Sequence, residues 1–278
     1  MNKPPIYEIV KKTIEKNNCN LLFIHSDILK GFEIKYKNRS QFLEDSYKLL
    51  TDLQKNISIW MPAFNYDFSI TKYFSLEGSD SQVGILSNFF RKHKAQWRTQ
   101  VPIFSISGTG VEPEYCKGYE INPFDETSVF HLMVELNATI MFYGASFDSV
   151  TFSHHCEYIC QIPYRYYKTF KGIIVDLEDN QHKVALKYLV RPLGFLSIYD
   201  MNRVRKDLEK NGVLQRFEAG ETRILLVNAK ELRDFVVGKM RENKFYLLSD
   251  ESAAVAKAKL DKLGRPFLIT DFEKPITA

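Results

Sequence analysis

Apolar residues recur at helical spacing in some stretches of the chain and form short unbroken runs in others. The helical spacing predicts two helices with both ends defined, at 5–17 and 84–92. It also predicts a helix that begins at Ser40, one that is capped by Asp125 or Thr127, and one that follows Ser149. The short runs predict strands at 21–24, 57–64, 101–107 and 139–143. Helices and strands therefore alternate through about the first 160 residues, which is typical of an α/β fold.

The later part of the chain has a different pattern. Residues 173–177 and 183–189 resemble paired strands around a polar turn, and an extended piece near 223–227 lies between two charged helical segments. The remaining predicted elements are the helices 199–211, 230–242 and 251–263 and a strand-like segment at 266–269. We expect one domain over 1–278, with a smaller α+β subregion at about 172–245.

Composition and charge exclude several classes of protein. The chain has 278 residues, of which 45% are hydrophobic and 26% charged, so it can bury a sizeable core. A net charge of +4 is too small for a dedicated nucleic-acid binder. No window approaches the apolar length of a membrane helix, and no secretory leader is visible. We expect a cytoplasmic protein that binds neither nucleic acid nor membranes.

The densest polar constellation surrounds a pair of histidines. If the segment is helical, Thr151 and Glu157 flank His154 on one face. A carboxylate beside an imidazole favours the charged imidazolium and can fix its tautomer, which suits a general base. The alternative is a surface helix with incidental histidines.

The same segment could instead hold zinc, because four potential ligands lie close together: His154, His155, Cys156 and Cys160. Structural zinc sites usually have a second ligand pair elsewhere in the chain. None is present here, since Cys19, Cys116 and His131 stand alone. We therefore expect no metal and reduced thiols.

Three other segments could contact a ligand. His25 and Ser26 end a predicted strand, where ligands collect in open α/β sheets. Residues 105–110 are small and could approach a ligand closely, but they match no phosphate-binding motif. Basic residues at 91–98 and an aromatic, basic stretch at 158–171 could hold phosphates or a stacked ring. The alternatives are a polar turn, a solvated face and ordinary packing.

Taken in order, these segments resemble the antibiotic N-acetyltransferase family, whose best-known members are aminoglycoside 3-N-acetyltransferases. The resemblance covers about residues 5–200. Its motifs are Leu22-Phe23-Ile24-His25-Ser26, Trp60-Met61-Pro62-Ala63-Phe64, Gly84-Ile85-Leu86 with Phe90-Arg91-Lys92 and Arg98-Thr99, Phe142-Tyr143-Gly144, and Thr151-x-x-His154-x-x-Glu157. The chain departs from the family at 101–105, where two histidines are absent, and at 125–129, where the family often has Gly-Glu-Gly-Ser-Pro.

The resemblance implies a layered mixed sheet flanked by helices and a coenzyme A-dependent N-acyltransferase. It implies direct transfer from acyl-CoA to an amine without a covalent enzyme intermediate. We assign His154 as the general base, Glu157 as its orienting carboxylate, and Thr151 as a residue that fixes the histidine or donates to the intermediate. The residues expected to bind coenzyme A are His25, Ser26, Phe64, Ser105 and Ser107, with Arg91 and Arg98 on its phosphates. Those expected to bind the acceptor are Tyr158, Tyr164, Arg165 and Tyr166.

Charge guides the choice of acceptor. Aminoglycosides are polycations, whereas this chain has no dense acidic stretch and an isoelectric point near 8.7. We therefore prefer a nucleotide-linked, dTDP-type amino deoxysugar of surface-polysaccharide or lipopolysaccharide biosynthesis. The alternatives are an aminoglycoside 3-N-acetyltransferase of antibiotic resistance, a catalytically inactive member, and a zinc-stabilised binding module. The sequence also leaves open that the chain forms a homo-oligomer.

Overall fold

The computed structural model describes residues 3–35, 37–113 and 118–274. Its helices are α1 (Pro5–Lys16), α2 (Arg39–Thr51), α3 (Phe68–Thr71), α4 (Ile85–His93), α5 (Val129–Glu135), α6 (Ser153–Cys160), α7 (Met201–Lys210), α8 (Ala229–Glu242) and α9 (Asp250–Leu263). Its strands are β1 (Leu21–Ser26), β2 (Ser58–Pro62), β3 (Tyr73–Ser75), β4 (Trp97–Arg98), β5 (Ile106–Gly108), β6 (Glu120–Ile121), β7 (Thr139–Tyr143), β8 (Tyr166–Val175), β9 (Gln181–Val190), β10 (Leu214–Ala219) and β11 (Thr222–Asn228).

Seven strands form the main sheet, in the order β10-β11-β7-β1-β2-β5-β4. The centre is parallel, because β1 pairs in parallel with both β2 and β7, while the outer pairings are antiparallel. Every residue of β7 is buried, and so are the first five of β1. Continuous apolar runs of this kind are expected where helices cover both faces of a parallel sheet.

Two apolar clusters pack on the opposite faces of this sheet. Phe23 of β1 belongs to the larger cluster, whereas its neighbours Leu22 and Ile24 belong to the smaller one. The alternation follows from the period of two along a strand. His25 therefore shares its face with Phe23, and the two rings meet edge to face at 5.1 Å.

A second sheet has the order β3-β8-β9-β6 and is built around one long hairpin. Its outer strands pair in parallel with the hairpin and come from the first half of the chain. The strands β10 and β11 instead extend the main sheet from β7. Residues 172–245 are thus divided between both sheets.

The predicted α/β class and the layered mixed sheet are confirmed, but several local predictions are wrong. Ser128 caps α5, in place of Asp125 or Thr127, because its side chain accepts the hydrogen bond from the His131 amide. Only the end of 101–107 is strand, and 266–269 is not a strand. The pattern also missed β10, whose residues are largely exposed at the sheet edge. None of the helices in the described ranges combines the length and the apolar character needed to cross a membrane.

Candidate active site

A cavity of about 360 Å³ lies where the parallel strands of the main sheet end. The wall contains His25 and Ser26 at the end of β1, Phe64 after β2, and His154 in α6. This is the edge at which ligands bind in α/β sheets. Gly144 follows β7 and precedes Ala145, which lines the cavity; its φ is +73°, and a Cβ there would lie 2.1 Å from the backbone oxygen of Asp27. Glycine thus allows the loops after β1 and β7 to pack together.

His154 and Glu157 form a hydrogen-bonded pair on α6. The His154 Nδ1 lies 2.8 Å from Oε2 of Glu157, whose side chain is 1% exposed, whereas the His154 side chain is 24% exposed. A carboxylate accepts, so Nδ1 carries the proton and the lone pair lies on Nε2. Nε2 makes no hydrogen bond to the described part of the chain and lies on the ring that lines the cavity. This is the arrangement that a general base requires.

Three further side chains hold the Glu157 carboxylate. Arg165 Nε lies 3.2 Å from Oε2, and the hydroxyls of Tyr164 and Tyr199 donate to Oε1 at 2.9 and 2.6 Å. Burial alone would raise the pKa of Glu157, but the Arg165 charge and the hydrogen bonds from His154 and Tyr199 lower it to about 2. Glu157 is therefore a charged, fully satisfied carboxylate behind the histidine.

The charge balance around His154 differs from the sequence-based expectation. Burial lowers the pKa of His154 below its ordinary value, and the Arg165 charge lowers it further, against the opposing effect of Glu157. The carboxylate was expected to favour the imidazolium. Glu157 does have this effect on the pKa of His154, but burial and the Arg165 charge outweigh it. The net shift favours the neutral imidazole, which is the form that can accept a proton.

Thr151 lies beside His154 but not on its helix. It sits in the turn before α6, lines the cavity, and its backbone oxygen accepts from the His154 amide at 3.1 Å. Its hydroxyl donates to the backbone oxygen of Ser149 at 3.3 Å. The predicted helical spacing of Thr151 is therefore wrong, although the residue does reach the cavity.

His25 and Ser26 present two unpaired polar atoms at the cavity. The His25 Nε2 and the Ser26 Oγ are buried and have no hydrogen-bond partner among the described residues. His25 stacks on Phe142, with ring centroids 5.2 Å apart, and burial lowers its pKa to about 3. A neutral imidazole and a hydroxyl with free hydrogen-bonding capacity suit a neutral polar ligand group.

The basic residues expected at the coenzyme's phosphates are engaged elsewhere. Arg98 bonds the backbone oxygens of residues 63, 76 and 79 at 2.6 to 2.9 Å and the Ser105 hydroxyl at 3.1 Å. Arg91 pairs with Asp80 at 2.6 Å, and its side chain is 6% exposed. Ser107 is buried in β5. None of these four side chains belongs to the cavity wall: Arg91, Arg98 and Ser105 are bonded elsewhere, and the Ser107 hydroxyl is buried without a partner among the described residues.

The residues expected at the acceptor are divided between two places. Tyr164 and Arg165 lie behind His154 on Glu157, so their expected place beside a substrate is corrected to a place beside the carboxylate. Tyr158 and Tyr166 line a separate cavity of about 700 Å³, which Arg165 also borders. Tyr199 was not predicted, because a lone tyrosine far from the motif carries no signal in the sequence.

The proposed zinc ligands point in different directions. His154 faces Glu157, the His155 Nδ1 lies 2.7 Å from the Phe124 backbone oxygen, and Cys156 is buried in the apolar core. Within 3–35, 37–113 and 118–274, no group of three or more His, Cys, Asp or Glu side chains is placed to hold a metal ion. Cys116 lies outside these ranges.

Known proteins were compared with this chain at the levels of family, sequence and fold. The family model described as aminoglycoside 3-N-acetyltransferase matches residues 42–241. No protein of curated function matches the sequence significantly.

Three solved structures are similar in fold. The aminoglycoside acetyltransferase AAC(3)-IVa apoenzyme is 14% identical, with 91% of this chain and 96% of that chain covered and a TM-score of 0.66. AAC-IIIb, solved as a binary complex with CoASH, is 14% identical, with coverages of 85% and 96% and a TM-score of 0.67. The YokD protein from Bacillus subtilis is 15% identical, with coverages of 88% and 96% and a TM-score of 0.65.

At such identities the structural likeness establishes the fold, and the family match supplies the class. The match covers more than half of the chain and includes α6 with its histidine and carboxylate. The chain belongs to the antibiotic N-acetyltransferase family and is a coenzyme A-dependent N-acyltransferase.

Proposed function

We propose that this cavity transfers an acyl group from acyl-CoA to the amine of an amino sugar, with His154 as the general base. The observation that carries the proposal is the pairing of His154 with a charged Glu157, which leaves Nε2 unprotonated on the ring that lines the cavity. Amine acylation needs such a base, because the attacking nitrogen must lose a proton.

The transfer is direct. The amine nitrogen forms a bond to the thioester carbonyl carbon while its proton passes to Nε2 of His154. The carbon–sulfur bond then breaks, the thiolate leaves, and the proton on His154 passes to that thiolate or to solvent. Glu157 holds the ring and balances the imidazolium charge during the step. The hydroxyl of Ser26, which lines the cavity and has no partner among the described residues, is the candidate donor to the oxyanion, while Thr151 helps to fix the histidine through its backbone oxygen.

The preferred acceptor is a nucleotide-linked amino deoxysugar of the kind used for surface polysaccharides. Among the described residues that line the cavity, Asp148 is the one carboxylate. A single carboxylate can balance one ammonium group but not the several ammonium groups of a polycation. The alternative acceptor is an aminoglycoside. It is favoured by the fold comparison, because a variant of AAC(3)-IVa was solved in complex with apramycin.

Parallel assays separate the two acceptors. Release of free thiol from several acyl-CoA donors is followed with dTDP-linked amino sugars and with kanamycin-like compounds. We expect a higher kcat/KM with the nucleotide-linked amines. Faster turnover of the aminoglycosides would overturn the choice of acceptor. If no thiol is released with either class of acceptor, the proposed reaction is contradicted.

A further inference from the structure

Three arginines converge on a second cavity that shares a wall with the active site. This cavity, of about 160 Å³, is lined by Arg205 of α7, Arg216 of β10 and Arg223 of β11. Asp148 and Met201 border both this cavity and the one beside His154. A ligand whose reacting group lies at His154 could therefore extend past this wall to the three guanidinium groups.

The strand register brings two of these arginines to the face of the sheet that carries the active site. Arg223 lies opposite Glu218, and Arg216 lies opposite Leu225. Leu225 belongs to the same apolar cluster as Phe23, so this face is the one on which His25 and His154 also lie. Arg216 and Arg223 therefore lie together on the face of the sheet that carries the active site.

The acidic neighbours engage only some of the N–H groups of these arginines. Glu218 accepts from Arg216 at 2.8 Å and lies 3.6 Å from Arg223, and Glu209 lies 2.5 Å from Arg205. Neither of these two carboxylates lines the cavity, whereas a third, Asp148, does line it and accepts from the Ser146 hydroxyl at 2.5 Å. The side chains of Arg216 and Arg223 are 42% and 38% exposed, so their remaining N–H groups are accessible.

We propose that Arg205, Arg216 and Arg223 form a subsite for the phosphate groups of a substrate whose reacting end lies at His154. Guanidinium groups bind phosphate oxygens through paired, charge-assisted hydrogen bonds. The subsite takes over the role that the sequence suggested for Arg91 and Arg98, which line neither this cavity nor the one beside His154. Its assignment to this reaction rests on the proposed function. Both acyl-CoA and a nucleotide-linked acceptor carry such phosphates.

Binding of inorganic pyrophosphate tests the subsite without any turnover. Isothermal titration is compared between the wild type and the double variant Arg216→Gln/Arg223→Gln, which changes two partly exposed side chains, one on the edge strand β10 and one on its neighbour β11. We expect affinity to fall about tenfold or more in the double variant, since two charge-assisted interactions are lost. Arg241→Gln, an exposed arginine of α8 away from the cavity, is the matched control and should bind as the wild type does. Glu218→Gln should bind more tightly, because it releases two guanidinium groups.

Kinetics identify which substrate supplies the phosphates. If acyl-CoA does, the double variant raises KM for acyl-CoA but not for an acyl-N-acetylcysteamine thioester, which has no phosphate. If the acceptor does, KM rises for the nucleotide-linked amine but not for the free amino sugar. Pyrophosphate affinity that is undetectable, or unchanged in the double variant, would overturn the subsite. Weakened pyrophosphate binding with both KM values unchanged would overturn its role in this reaction. If no substrate pair turns over, the proposed function fails, and the titration still decides whether the anion site exists.

Discussion

Two charges of opposite sign act on the ring of His154 from the same side. Glu157 orients the ring and favours its protonation, whereas Arg165 disfavours it. Burial lowers the pKa of the ring further than either charge moves it, so the result is an imidazole with a fixed tautomer and a lowered pKa. Such a group gives up some basicity, but its neutral form, which a base needs before it can act, is favoured.

The pH dependence of the reaction follows from this balance. Because the pKa of His154 is below its ordinary value of 6.5, the active, neutral form persists into mildly acidic solution. We expect kcat/KM to rise with pH and to reach its plateau at or below neutrality, with a midpoint under 6.5. A midpoint above that ordinary value in the free enzyme would show that Glu157, rather than burial and Arg165, dominates.

Replacement of the base should remove most of the activity and leave the fold intact. His154→Ala is expected to lower kcat by about 10²–10⁴-fold, the usual contribution of a general base. Thiol release measures the rate, and circular dichroism checks the fold. His182→Ala, at an exposed histidine of the long hairpin, is the control and should retain full activity. Near-normal turnover of His154→Ala would exclude the assignment.

Removal of the buried carboxylate should be costly for stability. Glu157→Gln leaves the buried Arg165 guanidinium without its charged partner, so we expect the free energy of unfolding to fall by about 3–5 kcal/mol. Tyr164→Phe removes one hydrogen bond and keeps both charges, so its cost should be about 1 kcal/mol. Urea denaturation compares the two variants. Equal losses would mean that the charge of Glu157 is not what stabilises this group.

At the scale of elements, Arg98 connects segments that are distant in sequence. Its guanidinium bonds backbone oxygens after β2 and after β3, and its Cζ lies 4.6 Å from the centre of the Phe74 ring. The loop after β2 carries Phe64 to the cavity, so this arginine fixes part of the cavity wall from behind.

A substitution separates this structural role from the predicted contact with coenzyme A. Arg98→Met leaves the backbone oxygens of Leu76 and Ser79 without this donor, whereas that of Ala63 keeps the Ser105 hydroxyl, so the free energy of unfolding should fall by about 2–3 kcal/mol. The KM for acyl-CoA, measured on the folded fraction, should stay within about twofold of the wild type. A large rise in that KM with little loss of stability would instead place Arg98 on the coenzyme's phosphates.

Sequence reasoning located elements by their apolar pattern and was weakest where that pattern was interrupted. The runs that became β1 and β7 were evident because both faces of these strands are buried. Strand β10 was missed because most of its residues are exposed. Thr151 was placed on a helix because the motif spacing fits one, yet α6 begins only at Ser153.

The same limit explains how much of the site could be predicted. The pairing of His154 with Glu157 depends on two residues three positions apart on one helix, which local geometry fixes. Arg165 and Tyr199 reach Glu157 from the approaches to β8 and to α7, which only the tertiary fold brings together. Their contribution to the charge of the site was therefore not visible in the sequence.

At the scale of the whole molecule, buried histidines should make the fold sensitive to acid. Burial lowers the pKa of His25 to about 3 and that of His155 to about 4, whereas both have ordinary values of 6.5. The unfolded chain binds more protons than the folded one between these limits. Above pH 6.5 these rings are neutral in both states and do not lower the free energy of unfolding. As the pH falls below 6.5, each ring lowers that free energy by up to about 1.4 kcal/mol per pH unit, until the folded ring is protonated as well.

Urea denaturation at several pH values between about 4.5 and 7 measures this effect. In His155→Gln, whose side chain can still donate to the Phe124 oxygen, the dependence of stability on pH should be shallower, by up to about 1.4 kcal/mol per unit in the middle of the interval between 4 and 6.5. Parallel curves for the variant and the wild type would contradict the lowered pKa of His155.

The position of β11 beside β7 has a consequence for how the chain is synthesised. A nascent polypeptide that has emerged only as far as α7 still lacks the strand that covers one edge of β7. That edge belongs to a strand whose residues are all buried in the finished fold, and open edges of this kind recruit other chains. Premature termination before residue 222 should therefore yield aggregates rather than a small soluble fragment. We expect newly made copies to be most prone to association until β11 has emerged and paired with β7.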